Sequence, residues 1–383
     1  MTLLTLQIIW FVLAGVVIAG YALLGGYDLG VGCLYLFQRS QKDRYKMMRT
    51  IGPYWGANQI WLVTAGGGLF AAFPFVFATV FSGFYLAMIL VLVGLILRTI
   101  ALEFRHQLDN RTWNNVWDLC FGIGSLLPSF LLGVAVGNIV RGIPLEADAA
   151  YSGALNFAGS FFDLLNPYAL LMGFLSLAVF VWHGANYLIA VDDGSVRRTA
   201  NTWSKSAWRS VVILYFALTA WTFILSPHLI YNFTNAPALF LLPFLALAGV
   251  SLHPSFARKN STWGPLLAST LAILGMVGTV GASLFPRLVL NLNSVTQYQP
   301  AFFGDFSSPH LQDSLTLLNA SSSQLTLTVM TVVAAIGVPL VLIYTIFVYA
   351  KMGRDKGAPE PEAPVVVEKA KKPKKAKKAG KPA

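Results

Sequence analysis

Residues 51–77 read IGPYWGANQIWLVTAGGGLFAAFPFVF, and residues 81–111 read FSGFYLAMILVLVGLILRTIALEFRHQLDNR. Each holds an apolar run long enough to cross a bilayer, which needs about 20 residues of helix. Together they read as two membrane-spanning helices joined by a very short turn at Pro74. Their polar groups are out of place for such helices. Trp55, Asn58, Gln59, Trp61 and Thr64 fall within the first run, and Arg98, Glu103 and Arg105 end the second. Polar side chains are costly at that depth, so their presence needs a purpose.

The rest of the chain is of the same kind. Of 383 residues, 56% are hydrophobic and 11% charged, against about 25% charged in soluble domains. Mean hydropathy is +0.64. Backbone polar groups in lipid must be satisfied internally, which leaves helices or a closed barrel. Apolar runs of about 20 residues, rather than ten-residue alternation, select helices. The fold class is therefore an all-α polytopic membrane protein.

Nine spans are expected, near residues 6–37, 53–73, 76–104, 116–139, 164–190, 206–225, 236–252, 265–285 and 324–349. Gly25 and Gly26 are a candidate bend in the first. The second domain-level unit is the tail. Residues 1–350 form the transmembrane domain, and 351–383 a lysine- and proline-rich arm too polar to fold alone. The formal net charge is +11, and the tail's eleven basic and four acidic residues supply +7 of it. That distribution points to an anionic lipid surface rather than to nucleic acid. Loops counted alternately hold 25 basic residues against 2, Arg141 and Arg287. The positive-inside rule then puts the N-terminus outside, in the periplasm, and the C-terminus in the cytoplasm. The N-terminus lacks a basic region and a cleavage site, so the first run is expected to be a retained helix.

On this topology Asp28, Asn58, Gln59, Arg98, Glu103, Asp118 and His183 converge on one layer at the inner side. Asp28, Asn58, Glu103 and Asp118 are candidates for a proton route. Arg98, Trp55, Gln59 and His183 are candidates for structural polar contacts, with Arg98 the nearest partner for Asp28 by depth. Helix-end capping is the plainer reading of Glu103, Arg105 and Asp118. Of His106, His183, His228, His253 and His310, only His183 lies well inside a span, which disfavours a haem held between two helices. Cys33 and Cys120 read as packed thiols. Neither a metal-spaced cluster nor a nucleotide loop is present, and Gly66, Gly67 and Gly68 are expected to permit close helix contact.

Several motifs carry a resemblance. GGYDLGVG (25–32), PYWGANQIWLVTAGGGLFAAFP (53–74), FSGFYLAMILVLVGLILR (81–98), WNNVWDLCFGIGSLLPSFLLGVAVGNIVRGIP (113–144), LNPYALLMGFLSLAVFVWHGANYL (165–188) and SSSQLTLTVMT (321–331) resemble subunit II of the cytochrome bd quinol oxidases. The resemblance runs from the first span to about Lys351, and the tail lies outside it. It implies a bacterial cytoplasmic (inner) membrane protein, partnered with a haem-bearing subunit I. The complex oxidises quinol and reduces dioxygen to water, an electrogenic terminal oxidase of the respiratory chain. Haem b, haem d and the quinol site belong to subunit I. Subunit II is then expected to carry no catalytic residue, cofactor or metal of its own and to line part of a cytoplasmic proton route. A small accessory subunit, membrane lipid and quinone are further expected partners. Two positions depart from the family pattern: Gly56 and Gly25 stand where acids are usual, which fits the cyanide-insensitive branch. Protons then pass by water and subunit I, by Asp28 and Glu103, or by another path. A secondary transporter with an inward-facing polar layer is the alternative from a different class; no internal repeat supports it.

Overall fold

The computed structural model describes residues 1–108, 110–147, 155–192, 194–293 and 313–352. Asp109, Asp148, His310 and the tail from residue 353 lie outside the described residues, as does most of the polar loop before the last span.

The described chain is a helical bundle. Helix α1 (Leu3–Tyr35) starts at Thr2, whose hydroxyl accepts the Thr5 amide, and continues unbroken through Gly25 and Gly26. The expected basic loop is itself a helix, α2 (Gln41–Ile51), capped by Ser40 and burying Met47, Met48 and Ile51. Lys42 is exposed and Arg44, Lys46 and Arg49 half-buried, the pattern of a helix lying along a surface.

The opening stretch differs from its two-helix reading. Helix α3 (Trp55–Ala72) ends at Phe73, and α4 (Pro74–Gly83) leaves at 119° to it. Proline disfavours helical geometry in the residue before it, and Phe73 indeed sits at φ −131°, ψ 64°. A second break at Phe84 separates α4 from α5 (Tyr85–Phe104). The expected single helix over 76–104 is therefore two. The second break is fixed by contact: a Cβ on Gly83 would lie 2.7 Å from the Phe157 ring. Sequence periodicity carries no trace of that contact.

Helix α6 (Arg111–Arg141) is capped by Asn110, and α7 (Pro167–Val191) by Asn166 with proline at its first turn. Helix α8 (Ser195–Leu225) begins well before the expected 206, because its polar first turns continue an apolar span. The segment before the seventh span forms short 3-10 turns and α9 (Tyr231–Asn235), followed by α10 (Leu241–Arg258). Helices α11 (Gly264–Leu284) and α12 (Gln324–Met352) complete the bundle. Among the described residues eight helices are long and apolar enough to cross a membrane, and the bent α3–α4 pair makes nine.

The two ends of the bundle differ. One end, here the cap end, carries α4 and two small antiparallel pairs, β1 (Leu145–Ala147) with β2 (Leu155–Phe157) and β3 (Arg287–Val289) with β4 (Leu315–Thr316). Asn291 joins them by donating to Leu145 O, while its own amide is received by the Ser314 hydroxyl. Asp163, in the turn entering α7, accepts from the Ser160 amide and hydroxyl, which holds its carboxyl below the ordinary range. The opposite, basic end carries α2 and the starts of α3, α6 and α8.

Helix α1 runs through the middle, packed against α3, α6, α7, α11 and α12. Its last eleven residues, Gly25 to Tyr35, are all buried. Two glycines let α1 and α7 touch backbone to backbone. A Cβ on Gly30 would stand 1.8 Å from Phe180 O, and one on Gly184 would stand 2.5 Å from the Val31 amide nitrogen. Small residues at such crossings are how membrane helices gain contact where lipid supplies no hydrophobic drive. The triplet at 66–68 does not do this inside the chain. A Cβ on Gly66 or Gly67 meets nothing within 4 Å, and one on Gly68 only reaches the Trp10 ring at 4.0 Å. The expected close contact through these glycines is absent from the described fold, because α3 turns that face away from its neighbours.

Candidate functional site

Three polar groupings occupy the half of the bundle nearer the basic end, and α1 contributes to each. The deepest is an ion pair. Arg98 Nη2 donates to Asp28 Oδ1 at 2.7 Å, and both side chains are 0% exposed. Nη1 lies 3.4 Å from Oδ2, and Nε donates to the Ser125 hydroxyl at 3.2 Å. The guanidinium carbon sits 5.9 Å from the centre of the Phe121 ring. The pair is possible because α5 and α6 approach closely through Gly94 and Gly124; a Cβ on Gly124 would stand 2.5 Å from Gly94 O. Two charges taken out of water must satisfy one another and their remaining hydrogen-bonding capacity, and this arrangement does so with three helices.

The second grouping is built from hydroxyls. Asn58 Nδ2 donates to the Tyr27 hydroxyl at 3.0 Å, and the Tyr349 hydroxyl donates to Asn58 Oδ1 at 2.8 Å. Tyr27 and Tyr349 also hydrogen-bond each other. The three side chains close a ring across α1, α3 and α12. Aromatic contacts extend it: Tyr27 stacks on Tyr187 with centroids 4.0 Å apart, and Tyr349 on Tyr54 at 4.6 Å. The Tyr187 hydroxyl donates to Thr50 O at 2.8 Å, at the end of α2.

The third grouping is a charge clamp at the rim. Asp118 receives Arg105 Nε and the Tyr35 hydroxyl on Oδ1, and Arg44 Nη1 at 2.8 Å on Oδ2. Arg105 also donates to Gln41 Oε1 at 2.8 Å, and Arg44 Nε to Gln38 O at 2.6 Å. Reading Arg105 and Asp118 as separate helix-end residues is thus corrected: they face each other, since α5 and α6 are joined by a short turn. The clamp ties α2 to the ends of α1, α5 and α6.

Of the remaining expected site residues, His183 meets the hydroxyl grouping edge-on, its ring centre 6.3 Å from that of Tyr27, and the others lie apart. Glu103 is exposed on the outer face of α5, and is not drawn into the clamp although it sits two residues from Arg105. Trp55 and Gln59 are half-buried on α3. His183 is buried, with Nδ1 2.7 Å from the Ser269 hydroxyl. His253 accepts from Trp182 Nε1 at 3.3 Å on Nδ1, and its Nε2 lies 3.4 Å from the Ser204 hydroxyl. Cys33 and Cys120 are free thiols; Cys33 Sγ is 3.7 Å from the Ser129 hydroxyl. Among the described residues there is no group of three or more His, Cys, Asp and Glu side chains placed to hold a metal.

The two family departures acquire distinct surroundings. Gly56 is exposed, and a Cβ there would meet nothing within 4 Å, so an acid would point away from this chain. Gly25 is buried, and its Cβ would fall 2.4 Å from the Tyr21 ring, which fills the space an acid would take. Sequence reasoning missed the tyrosines and Arg44. Tyr27 lies next to Asp28 in the motif and was legible as a polar neighbour. Tyr349 and Tyr187 lie on distant spans, and only the folded register shows them at one depth.

Comparison with known proteins agrees with this architecture. The sequence model of the cytochrome bd terminal oxidase subunit II family matches residues 6–352. The chain is 35% identical over 376 residues to the cytochrome bd-I ubiquinol oxidase subunit 2 of Escherichia coli (strain K12), covering 91% of this chain and 94% of that protein. It is 34% identical over 373 residues to a probable cytochrome oxidase subunit 2 of Haemophilus influenzae, with the same coverage. It is 31% identical over 352 residues to the cytochrome bd ubiquinol oxidase subunit 2 of Bacillus subtilis (strain 168), covering 91% and 96%. Its fold is similar to a chain in the structure of the bd oxidase from Geobacillus thermodenitrificans, with a TM-score of 0.69, 15% identity and coverage of 91% and 98%. The transporter alternative finds no support among these relatives. With its eight or nine candidate spans among the described residues, its buried polar layer near the basic end and a family match from Leu6 to Met352, the chain belongs to the subunit II family of the cytochrome bd terminal oxidases, multi-pass proteins of the bacterial inner membrane.

Proposed function

We propose that this chain is the haem-free scaffold of a quinol-oxidising, oxygen-reducing complex, and that its buried carboxylates are fixed charges rather than proton carriers. The partner is a subunit I that carries the haems and the quinol site. The basic end faces the cytoplasm, in keeping with the 25 to 2 distribution of basic residues. A haem would need histidine nitrogens free for iron, and the residues here do not fit. His253 has both ring nitrogens engaged, and His183 bonds both the Ser269 hydroxyl and the Leu23 backbone. No step of the reaction is therefore derived through haem in this chain.

The observation that carries the reading is the Arg98–Asp28 pair, fully buried on both sides. A carboxylate and a guanidinium 2.7 Å apart, both closed off from solvent, tie α1 to α5, and a pair so enclosed is suited to holding helices together. Asp118, gripped by two arginines, is placed in the same way. Glu103 faces outward, toward lipid or the partner. Of the four route candidates, Asn58 alone lies between two hydroxyls, and unlike Asp118 it is not held by an arginine. The Tyr27 and Tyr349 hydroxyls beside it bond each other, so a proton arriving at one hydroxyl and leaving from the other would pass between them, with Asn58 holding the two oxygens in place.

The test uses the complete oxidase with its partner subunit. Asp28→Asn is expected to lower thermal stability, while the surviving complex oxidises a short-chain quinol at the wild-type rate per haem. Tyr27→Phe combined with Tyr349→Phe is expected to slow turnover per haem by about tenfold or more, at unchanged haem content. An Asp28→Asn complex with full haem and slow turnover would make Asp28 a proton carrier and overturn the fixed-charge reading.

A further inference from the structure

We propose that a cavity between α8 and α10, at the basic end, is a binding site for the phosphodiester of an anionic phospholipid. It has a volume of about 190 Å³ and is lined by Lys205, Trp208, Arg209, His253 and Arg258, with Pro254 and Ala257 closing it. That is below the 300–1,000 Å³ or so of pockets enclosing drug-sized ligands, and suits one phosphate group with its first carbons.

Charge is the first argument. Three cations and no carboxylate line the cavity. Several basic side chains at this end are used inside the chain: Arg44 and Arg105 hold Asp118, and Arg197 donates to Asn260 O and Thr262. Lys205, Arg209 and Arg258 make no such bond among the described residues. Lys205 and Arg209 are spaced i, i+4 on α8, where like charges repel, and Arg258 approaches from α10. Among the described residues no carboxylate lines the cavity to offset that repulsion; an anion between them does. The cap-end cavity makes the contrast. It holds Arg141 together with Asp163, and so favours neither sign.

Position is the second argument. Lys205 and Arg209 stand where the polar first turns of α8 give way to its apolar run, and Arg258 ends α10. The cavity thus sits at the level of phospholipid headgroups, whichever way the bundle faces. The wall is prepared for the neighbouring hydrocarbon. The Trp208 indole donates to Val250 O at 2.8 Å and its ring stacks on His253, with centroids 5.9 Å apart. A tryptophan so anchored presents an apolar face beside a polar edge, as interfacial tryptophans do. Below it, α8 exposes Ile213 and Phe216, and α10 exposes Leu252 and Leu247, surfaces for acyl chains. Clusters of basic residues between membrane helices at the cytoplasmic side bind anionic headgroups by this combination.

The complete oxidase would be reconstituted in nanodiscs of phosphatidylcholine alone or with phosphatidylglycerol, and bound lipid counted by native mass spectrometry after mild release. The wild type is expected to retain phosphatidylglycerol. The combined variant Lys205→Gln, Arg209→Gln, Arg258→Gln is expected to lose it, with affinity down about 100-fold at roughly tenfold or less per cation. A charge-matched control, Arg39→Gln, Arg111→Gln, Arg198→Gln, keeps the wild-type count. Thermal unfolding reads the same site: phosphatidylglycerol raises the midpoint in the wild type and in the control, but not in the triple variant. Equal retention in the triple variant and the wild type overturns the proposal. Inorganic phosphate at millimolar concentration reproducing the shift, without lipid retention, would make the cavity a site for a free anion and overturn the lipid assignment.

Discussion

Arg98→Ala is expected to remove about 3–5 kcal/mol of stability, the cost of leaving one member of a buried pair without its partner. Asp28 would keep its place between α1, α5 and α6 with no cation beside it, and Ser125 would lose a donor. For a membrane protein the readout is the amount of assembled, haem-loaded oxidase extracted from membranes, together with its thermal midpoint. Both fall sharply for Arg98→Ala. The partner change tells a charge from a shape. Replacing both residues by apolar ones of similar volume, Asp28→Leu with Arg98→Met, removes the unpaired charge and is expected to recover most of the loss, because buried pairs often contribute little net stability over a well-packed apolar contact. If the double variant is as damaged as the single one, the pair does more than neutralise itself. If Arg98→Ala alone leaves assembly and midpoint unchanged, the fixed-charge reading of the Arg98–Asp28 pair fails.

The legible part of this site was its depth, and the missing part was its pairing. Polar residues in apolar runs are conspicuous, so Asp28, Asn58, Arg98 and Asp118 stand out by position alone. Asp28 and Arg98 even match by depth, since an intramembrane carboxylate needs a cation and few are within reach. Tyrosine gives no such signal. It is common at membrane interfaces, and its hydroxyl looks unremarkable until Tyr27 and Tyr349 are seen closing on Asn58 from helices more than 300 residues apart in sequence. The spans were legible through length and apolarity, whereas the bend at Phe73 was half-legible: Pro74 forecast a break there but not that a lateral helix would follow. The break at Phe84 depends on Gly83 meeting Phe157 across the cap, which no local pattern records. Glycines were the least legible of all. In the conspicuous triplet Gly66 and Gly67 face open space in this chain and Gly68 only reaches the Trp10 ring, while the decisive contacts belong to Gly30, Gly94, Gly124 and Gly184.

That last contrast yields the second large effect. Gly30→Ala is expected to abolish accumulation of the assembled oxidase, and Gly184→Ala to come close to doing so, while Gly66→Ala and Gly67→Ala stay within about 0.5 kcal/mol of the wild type. The difference lies in what each new methyl meets. At Gly30 it would stand 1.8 Å from Phe180 O and 2.6 Å from Phe180 C, both backbone atoms of α7. Carbon atoms rest about 3.5–4.0 Å apart, and no rotamer change moves a carbonyl inside a helix. The helices must separate, and α1 is the element against which α3, α6 and α7 are packed. Overpacking of a core costs about 1–3 kcal/mol when side chains give way; here backbone must give way, so the cost is expected above that range. The separation also reaches the site. Tyr27 stands three residues before Gly30 and stacks on Tyr187 three residues after Gly184, at 4.0 Å. Moving α1 from α7 pulls that stack apart and loosens the hydroxyl ring on Asn58. Any Gly30→Ala complex that does assemble should therefore show slowed turnover per haem as well as a lowered midpoint, with Gly66→Ala as the control that changes neither. Wild-type yield and midpoint for Gly30→Ala would mean that α1 and α7 do not meet at backbone distance, and the site geometry drawn from that contact would fall with it.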